Sequence, residues 1–177
     1  FGIMREAPIV LFVGRIVPRK GATAVYEIST MLPDCEFVMI GQKSPKLVIP
    51  DRTSNFRRLA DVSYETVRNW YRAADAFLLF SDGDGGFPLV GQEAQATGLP
   101  VIARQDQPFV RELAAKKLCI PIPAAPLTAA ASAIRSALAD QEALRSLAAR
   151  ALEHARQHFS MERMVTDYLA LLAACVR

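Results

Sequence analysis

Residues 76–103 read AFLLFSDGDGGFPLVGQEAQATGLPVIA. The run at 76–80 is apolar at every position, which marks a strand buried on both faces. Residues 81–86 contain only Ser, Asp and Gly, a loop composition. Residues 89–97 read as a short helix ended by Gly98, and a Gly-Leu-Pro corner introduces a second apolar strand at 99–103. Strand, helix and strand in this order fit a parallel pair joined by a covering helix.

The alternation continues on either side. Ile9–Val13 is an apolar strand ending at Gly14, followed by a helix over 21–31 that stops before Pro33. Glu36–Ile40 forms a second strand closed by Gly41, residues 42–55 a surface loop, and Phe56–Leu59 a weak third strand. Ser63 caps the next helix, with Tyr64, Val67 and Tyr71 on one face and Trp70 and Tyr71 packing on the core. Pro108–Ala115 is helical and 118–122 is the last strand, after which alanine-rich helices run from Pro126 to Val176. The expectation is one α/β domain over 1–177, a parallel sheet flanked by helices (about 1–125) with a helical C-terminal part (about 126–177).

Composition removes several function classes. Hydrophobic residues make up 51% and charged residues 22%, which is globular, and no apolar run approaches the roughly 18–20 residues of a membrane helix. The net charge of +3 is concentrated in residues 1–58, which carry nine basic and five acidic side chains. That excess is too small for a nucleic-acid surface and large enough for a local anion pocket. Cys35, Cys119 and Cys175 are read as buried free thiols in a reducing cytoplasm. A start at Phe1, with no signal peptide and almost no lead into the first strand, reads as a fragment of a longer chain.

Ligands in such a sheet bind beyond the carboxyl ends of the strands, so the candidates are residues 14–21, 41–43, 81–86 with Glu93, and 104–108. The loop Gly14-Arg15-Ile16-Val17-Pro18-Arg19-Lys20-Gly21 is either an anion-binding turn leading into a helix or a basic surface loop; its order is not that of a Walker P-loop. Asp82-Gly83-Asp84 has a D-x-D spacing that suits a divalent cation on a diphosphate, and equally suits a turn. Glu93, in an otherwise small and apolar helix, is either an acceptor for two sugar hydroxyls or a solvated position. His154 and His158 are spaced as a metal pair but lack a third ligand and read as ordinary helix-end residues.

Taken in order, these pieces resemble the nucleotide-sugar-binding half of retaining glycosyltransferases of the GT-B fold, the group 1 family. Residues 9–21 (IVLFVGRIVPRKG) are similar to its strand, Gly-Arg and downstream Lys-Gly, and 36–41 (EFVMIG) to its second strand and glycine. Residues 67–81 (VRNWYRAADAFLLFS) resemble its LY-x-x-AD segment, with Phe80 in place of the usual Pro. Residues 86–103 (GFPLVGQEAQATGLPVIA) carry the most specific likeness, to GFG-x-x-x-x-EAMA-x-G-x-PV-x-A.

The resemblance implies a Rossmann-like sheet forming one half of a GT-B fold, and hexosyl transfer from a nucleoside-diphosphate sugar in glycan or polysaccharide biosynthesis. It implies retention, no metal and no cofactor beyond the donor substrate. Arg15 and Lys20 correspond to the pair that grips the diphosphate and stabilises the leaving group. Gly14, Gly86, Phe87, Pro88 and Leu89 correspond to donor-facing positions, and Glu93 to the acid that holds the ribose hydroxyls. Gly85 stands where the family has its first Glu, and counting from Ser81 places Asp84 there, so Asp84 is expected at the donor sugar, with Asp82 as second choice. Residues 104–108 (RQDQP) replace a small Gly-Gly loop.

The acceptor, a glycan or lipid-linked sugar, falls to an N-terminal domain absent from this sequence, onto which the helix opened by Phe159-Ser160 would cross back. The isolated domain is expected to bind the donor without turnover. The implied location is cytoplasmic, with peripheral membrane association an option for the full-length protein, and no nucleic-acid partner. Two alternatives stay open: a degenerate non-catalytic nucleotide-sugar module, and a sugar-nucleotide epimerase of the same fold.

Overall fold

Strand β1 (Ile9–Val13) is hydrogen-bonded on both edges, to β2 (Glu36–Ile40) and to β4 (Ala76–Leu79), and all three run parallel. The sheet grows outward from this centre through β3 (Phe56–Leu59) on one side and β5 (Val101–Arg104) and β6 (Ile120–Ile122) on the other, giving the order β3-β2-β1-β4-β5-β6. These elements come from a computed structural model, which describes residues 7–83 and 85–175. Asp84, expected at the donor sugar, and Val176, the expected end of the helical tail, lie outside the described residues.

The apolar runs are buried on both faces, as continuous strands require. Val10, Phe12, Phe37, Met39, Leu78 and Ile102 pack on one side beneath α1 (Ala22–Met31) and α5 (Leu127–Ala139). Leu11, Val38, Ile40, Phe77, Leu79 and Val101 pack on the other, against α2 (Tyr64–Ala73), α3 (Leu89–Ala96), α4 (Pro108–Ala115) and α6 (Gln141–His158). Alanines at 130, 131 and 151 let α5 and α6 approach closely. The doubly wound, Rossmann-like architecture expected from the alternation is therefore present, and the last turn of α1 is closed by Asn55, whose amide donates to the carbonyls of Ser29, Leu32 and Cys35.

Several local expectations change. β5 begins at Val101 rather than 99, because the Leu99 N–H is spent on the Ala94 carbonyl at the end of α3 and Pro100 has no N–H to give. β6 begins at Ile120 rather than 118, since the Leu118 N–H closes α4 on Leu113 after Lys117 takes a left-handed φ of 56°. Tyr64 lies on the same face of α2 as Tyr71, where both line one pocket, but in the first turn it is 74% exposed rather than buried. Ser63 does cap that helix, accepting from the Thr66 N–H at 3.1 Å. Residues 42–55 lack regular structure but are pinned, with Ile49 buried and the Lys43 ammonium donating to its carbonyl at 2.7 Å. Cys35 and Cys119 are buried, which raises their thiols to about 11 and about 12; Cys175 is exposed, not buried. It lies in α7 (Met161–Cys175), whose Tyr168, Leu169, Leu171 and Leu172 are each more than half exposed.

Two glycines have backbone requirements of different origin. At Gly41 (φ 147°) an added Cβ would lie 2.0 Å from the Gly14 carbonyl oxygen, so backbone meets backbone where β1 and β2 end. At Gly83 (φ 71°) nothing stands within 4 Å. Gly41→Ala should therefore cost more than about 2 kcal/mol and Gly83→Ala only about 1 kcal/mol, the left-handed penalty alone, as read from urea denaturation midpoints.

Candidate functional site

The order of the strands reverses between β1 and β4: the chain leaves β1 toward β2 and β3, and leaves β4 toward β5 and β6. The carboxyl ends of these two strands consequently diverge in their connections and leave a crevice, the position at which open α/β sheets bind ligands. A cleft of about 210 Å³ lies there, formed by Phe12, Val13 and Gly14 from the end of β1, Leu78, Leu79 and Ser81 from the end of β4, and Lys20, Pro88, Leu89 and Val90.

Its walls follow from local chemistry. Residues Pro18–Lys20 make a short 3-10 turn that Gly21 ends at φ 77°, and a Cβ at Gly21 would fall 2.2 Å from the Phe80 carbonyl oxygen. Only glycine lets the start of α1 lie against the end of β4 in this way. The Asp82 N–H donates to the Arg19 carbonyl at 2.8 Å and fastens the same two loops together. On the other wall, α3 starts after Pro88, which has no side chain able to cap it, and among the described residues no side chain accepts from the first N–H groups of that helix. The positive end of α3 and the Lys20 ammonium thus border one small space, an arrangement suited to an anion.

Of the residues expected at the donor, Gly14, Lys20, Pro88 and Leu89 line this cleft together. The other expected positions fall around that cleft. Arg15 is exposed, one residue beyond Gly14. Gly86 and Phe87 line a separate cavity of about 540 Å³ with Pro108, Phe109, His158 and Phe159. The Phe87 ring covers Gly91, where a Cβ would lie 2.3 Å from it, and packs 5.8 Å from the Phe109 ring. Glu93 opens into a third, smaller pocket between α2 and α3, with Tyr64, Arg68, Tyr71 and Thr97. Asp84 lies outside the described residues.

Glu93 is held by a partner that the sequence reading placed only in the core. The Tyr71 hydroxyl donates to Glu93 Oε2 at 3.0 Å and stands 3.1 Å from the Val90 carbonyl, so Val90 joins the two pockets. Burial first, then the Glu93 charge, pushes the Tyr71 phenol far above its ordinary pKa, and it remains a neutral donor. The spacing 64, 68, 71 along α2 was the available signal for this pocket wall. Ser81 falls in the candidate segment 81–86, whereas Val90 was not singled out, although it is the second residue of the helix that begins at the ligand edge.

Asp82 of the D-x-D pair faces a cation of the protein itself. The Arg104 guanidinium, at the end of β5, is forked onto Asp106 at 2.8 and 2.6 Å, stands 3.5 Å from Asp82, and lies 5.8 Å from the centre of the Phe80 ring. The Arg104 hydrogen bonds hold the Asp106 carboxyl below the usual carboxylate range. His154 and His158 stack as parallel rings 4.3 Å apart, and no cluster of three metal-ligating side chains occurs among the described residues.

Comparison with known proteins places this geometry in context. A family model described as "Glycosyl transferases group 1" matches residues 1–154. A D-inositol 3-phosphate glycosyltransferase of Jonesia denitrificans is 30% identical over 187 residues, spanning 96% of this chain and 44% of that protein. A GDP-mannose-dependent monoacylated alpha-(1-6)-phosphatidylinositol monomannoside mannosyltransferase of Corynebacterium glutamicum is 28% identical over 116 residues, spanning 58% of this chain and 30% of that protein. Among solved structures, sucrose-phosphate synthase from Thermosynechococcus elongatus superposes with a TM-score of 0.79 at 25% identity, over 97% of this chain and 47% of its own. Anabaena HepE in complex with UDP gives 0.80 at 16% identity, over 96% and 49%. The chain therefore spans less than half the length of these proteins.

The wall of the second cavity is sensitive to pH. Burial, and after it the charges of His158 and Lys116, lower the His154 pKa below 6.5, with Glu112 opposing. The unfolded imidazole takes up a proton that the folded one resists, so stability held above pH 6.5 declines as pH falls below it. In His154→Gln the decline between pH 7 and 5, measured by urea denaturation, should be smaller than in the unsubstituted protein.

Proposed function

The chain belongs to the group 1 glycosyl transferase family, and on that premise we propose that it is the donor-binding domain of an enzyme that moves a sugar from a nucleoside diphosphate to an acceptor. The observation that carries the reading is the cleft at the β1/β4 reversal, where Lys20, Gly14 and the uncapped start of α3 converge. In this reading the diphosphate lies against the first N–H groups of α3, with Lys20 and Arg15 as its cations. Breaking the bond between the anomeric carbon and the diphosphate oxygen moves negative charge onto the leaving group. Positive groups already fixed there stabilise that charge as it develops, and removing one such group costs about 10²–10³ in rate.

Glu93, oriented by Tyr71, takes the ribose hydroxyls in the smaller pocket, which the Tyr71 hydroxyl connects to the Val90 carbonyl of the cleft wall. Gly86, Phe87 and Asp84 (or Asp82) attend the donor sugar. Positive charge comes from side chains and a helix end, so we propose a metal-independent reaction, with retention at the anomeric carbon. The exposed apolar residues of α7 would pack on an N-terminal acceptor-binding domain that carries a glycan or lipid-linked acceptor. Among the described residues no helix is long and apolar enough to cross a membrane; a cytoplasmic enzyme of glycan assembly, peripheral to the membrane, is the proposed setting.

Calorimetric titration of the full-length protein with UDP, GDP and ADP, with and without Mg²⁺, tests this. One diphosphate should bind selectively and equally well without metal, and Lys20→Ala and Glu93→Ala should each weaken it about tenfold, which is about 1.4 kcal/mol. Failure of all three diphosphates to bind would overturn the reading.

A further inference from the structure

The described residues of the turn after β4 include three glycines. Among the described residues nothing stands within 4 Å of where a side chain would be at Gly83, Gly85 or Gly86, so these three add no side-chain packing to the turn. Among the described residues of this turn, the side-chain attachment is the Asp82 carboxylate, 3.5 Å from Arg104 Nη2. Arg104 is well placed for the purpose. Its side chain is 19% exposed, its guanidinium is forked onto Asp106, and the buried Phe80 ring lies 5.8 Å beneath it. Exposed ion pairs between two mobile side chains contribute little, but a guanidinium immobilised by a bidentate partner and an aromatic face is a fixed point.

The connection extends further. One guanidinium thus links the turns after β4 and β5, while the loop after β1 that carries Lys20 is tied to Asp82 separately, by the Asp82 N–H on the Arg19 carbonyl, a backbone bond that does not use the carboxylate. The buried Gln107 supports the fork, its side-chain amide donating to Asp106 Oδ1 at 3.3 Å.

We propose that Arg104 is a positioning residue for the sugar portion of the donor, acting through Asp82 on the glycine turn that leads to Gly86 and Phe87. The inference rests on the donor-binding reading. Arg104 does not line the cleft that holds Lys20 and the start of α3, so nucleoside diphosphate binding does not depend on it. What depends on it is the additional affinity that the sugar brings.

The test uses the full-length protein with Arg104→Ala and Arg104→Lys. Calorimetry compares UDP, GDP and ADP with UDP-glucose, UDP-galactose, GDP-mannose and ADP-glucose, and amide hydrogen exchange follows residues 81–87. In Arg104→Ala, the diphosphate Kd should stay within about twofold while the nucleotide-sugar Kd rises about tenfold, and exchange in the turn should accelerate without a change in Tm. Arg104→Lys, which keeps the charge without the fork, should recover part of both effects. Equal weakening of diphosphate and nucleotide sugar, or unchanged exchange at 81–87, would overturn the positioning role. Loss of all nucleotide binding in the unsubstituted protein would instead remove the donor reading and this inference with it.

Discussion

Everything at the ligand edge depends on β1 being paired on both sides in parallel register. Val10 and Leu11 sit opposite Phe37 and Val38 on one edge and Ala76 and Phe77 on the other. Such a strand must be dry on both faces, and its neighbours must return by crossovers that cover the sheet. Because those crossovers run in opposite directions from β1 and β4, no connection closes the space beyond their carboxyl ends. The crevice follows from the topology, and the residues that line it were free to be chosen for chemistry.

The chemistry chosen is mainly backbone and placement. Gly21 permits α1 to start against the Phe80 carbonyl, Gly41 permits β2 to end against the Gly14 carbonyl, and Pro88 starts α3 without capping it. The two glycines let backbone approach backbone around the crevice and leave the apolar layers undisturbed. The thiols of Cys35 and Cys119, by contrast, are held protonated by burial and belong to the core.

The strands and helices were legible in the sequence because apolar runs of four or five residues alternate with longer mixed segments, and the residues just past the strands were legible as the ligand edge. The exact strand starts were not, because Leu99 and Leu118 look like strand residues and spend their N–H groups closing helices. Tyr64 shows the limit of periodicity, which marks a stripe but not how far the neighbouring layer extends along it. At the site, Gly14 and Lys20 could be read from position alone, and Pro88 and Leu89 from the resemblance to the group 1 family. The pairing of Glu93 with Tyr71, 22 residues earlier, and of Arg104 with Asp82, 22 residues earlier, depends on how helices and turns meet in space. No local pattern encodes that.

The phenol beside Glu93 has a stereochemical consequence. A carboxylate free in water offers both oxygens to any approach, whereas here one oxygen is committed to Tyr71, whose proton stays in place throughout the neutral range. The plane of the carboxylate is thereby set before a ligand arrives, and little rotational freedom is left to lose on binding. Two adjacent hydroxyls that reach it must point the same way to donate together, and a ligand lacking one of them leaves a lone pair unmet. On the proposed donor reading, selection at this pocket would therefore fall between ribo- and deoxyribonucleotides before it fell between one base and another.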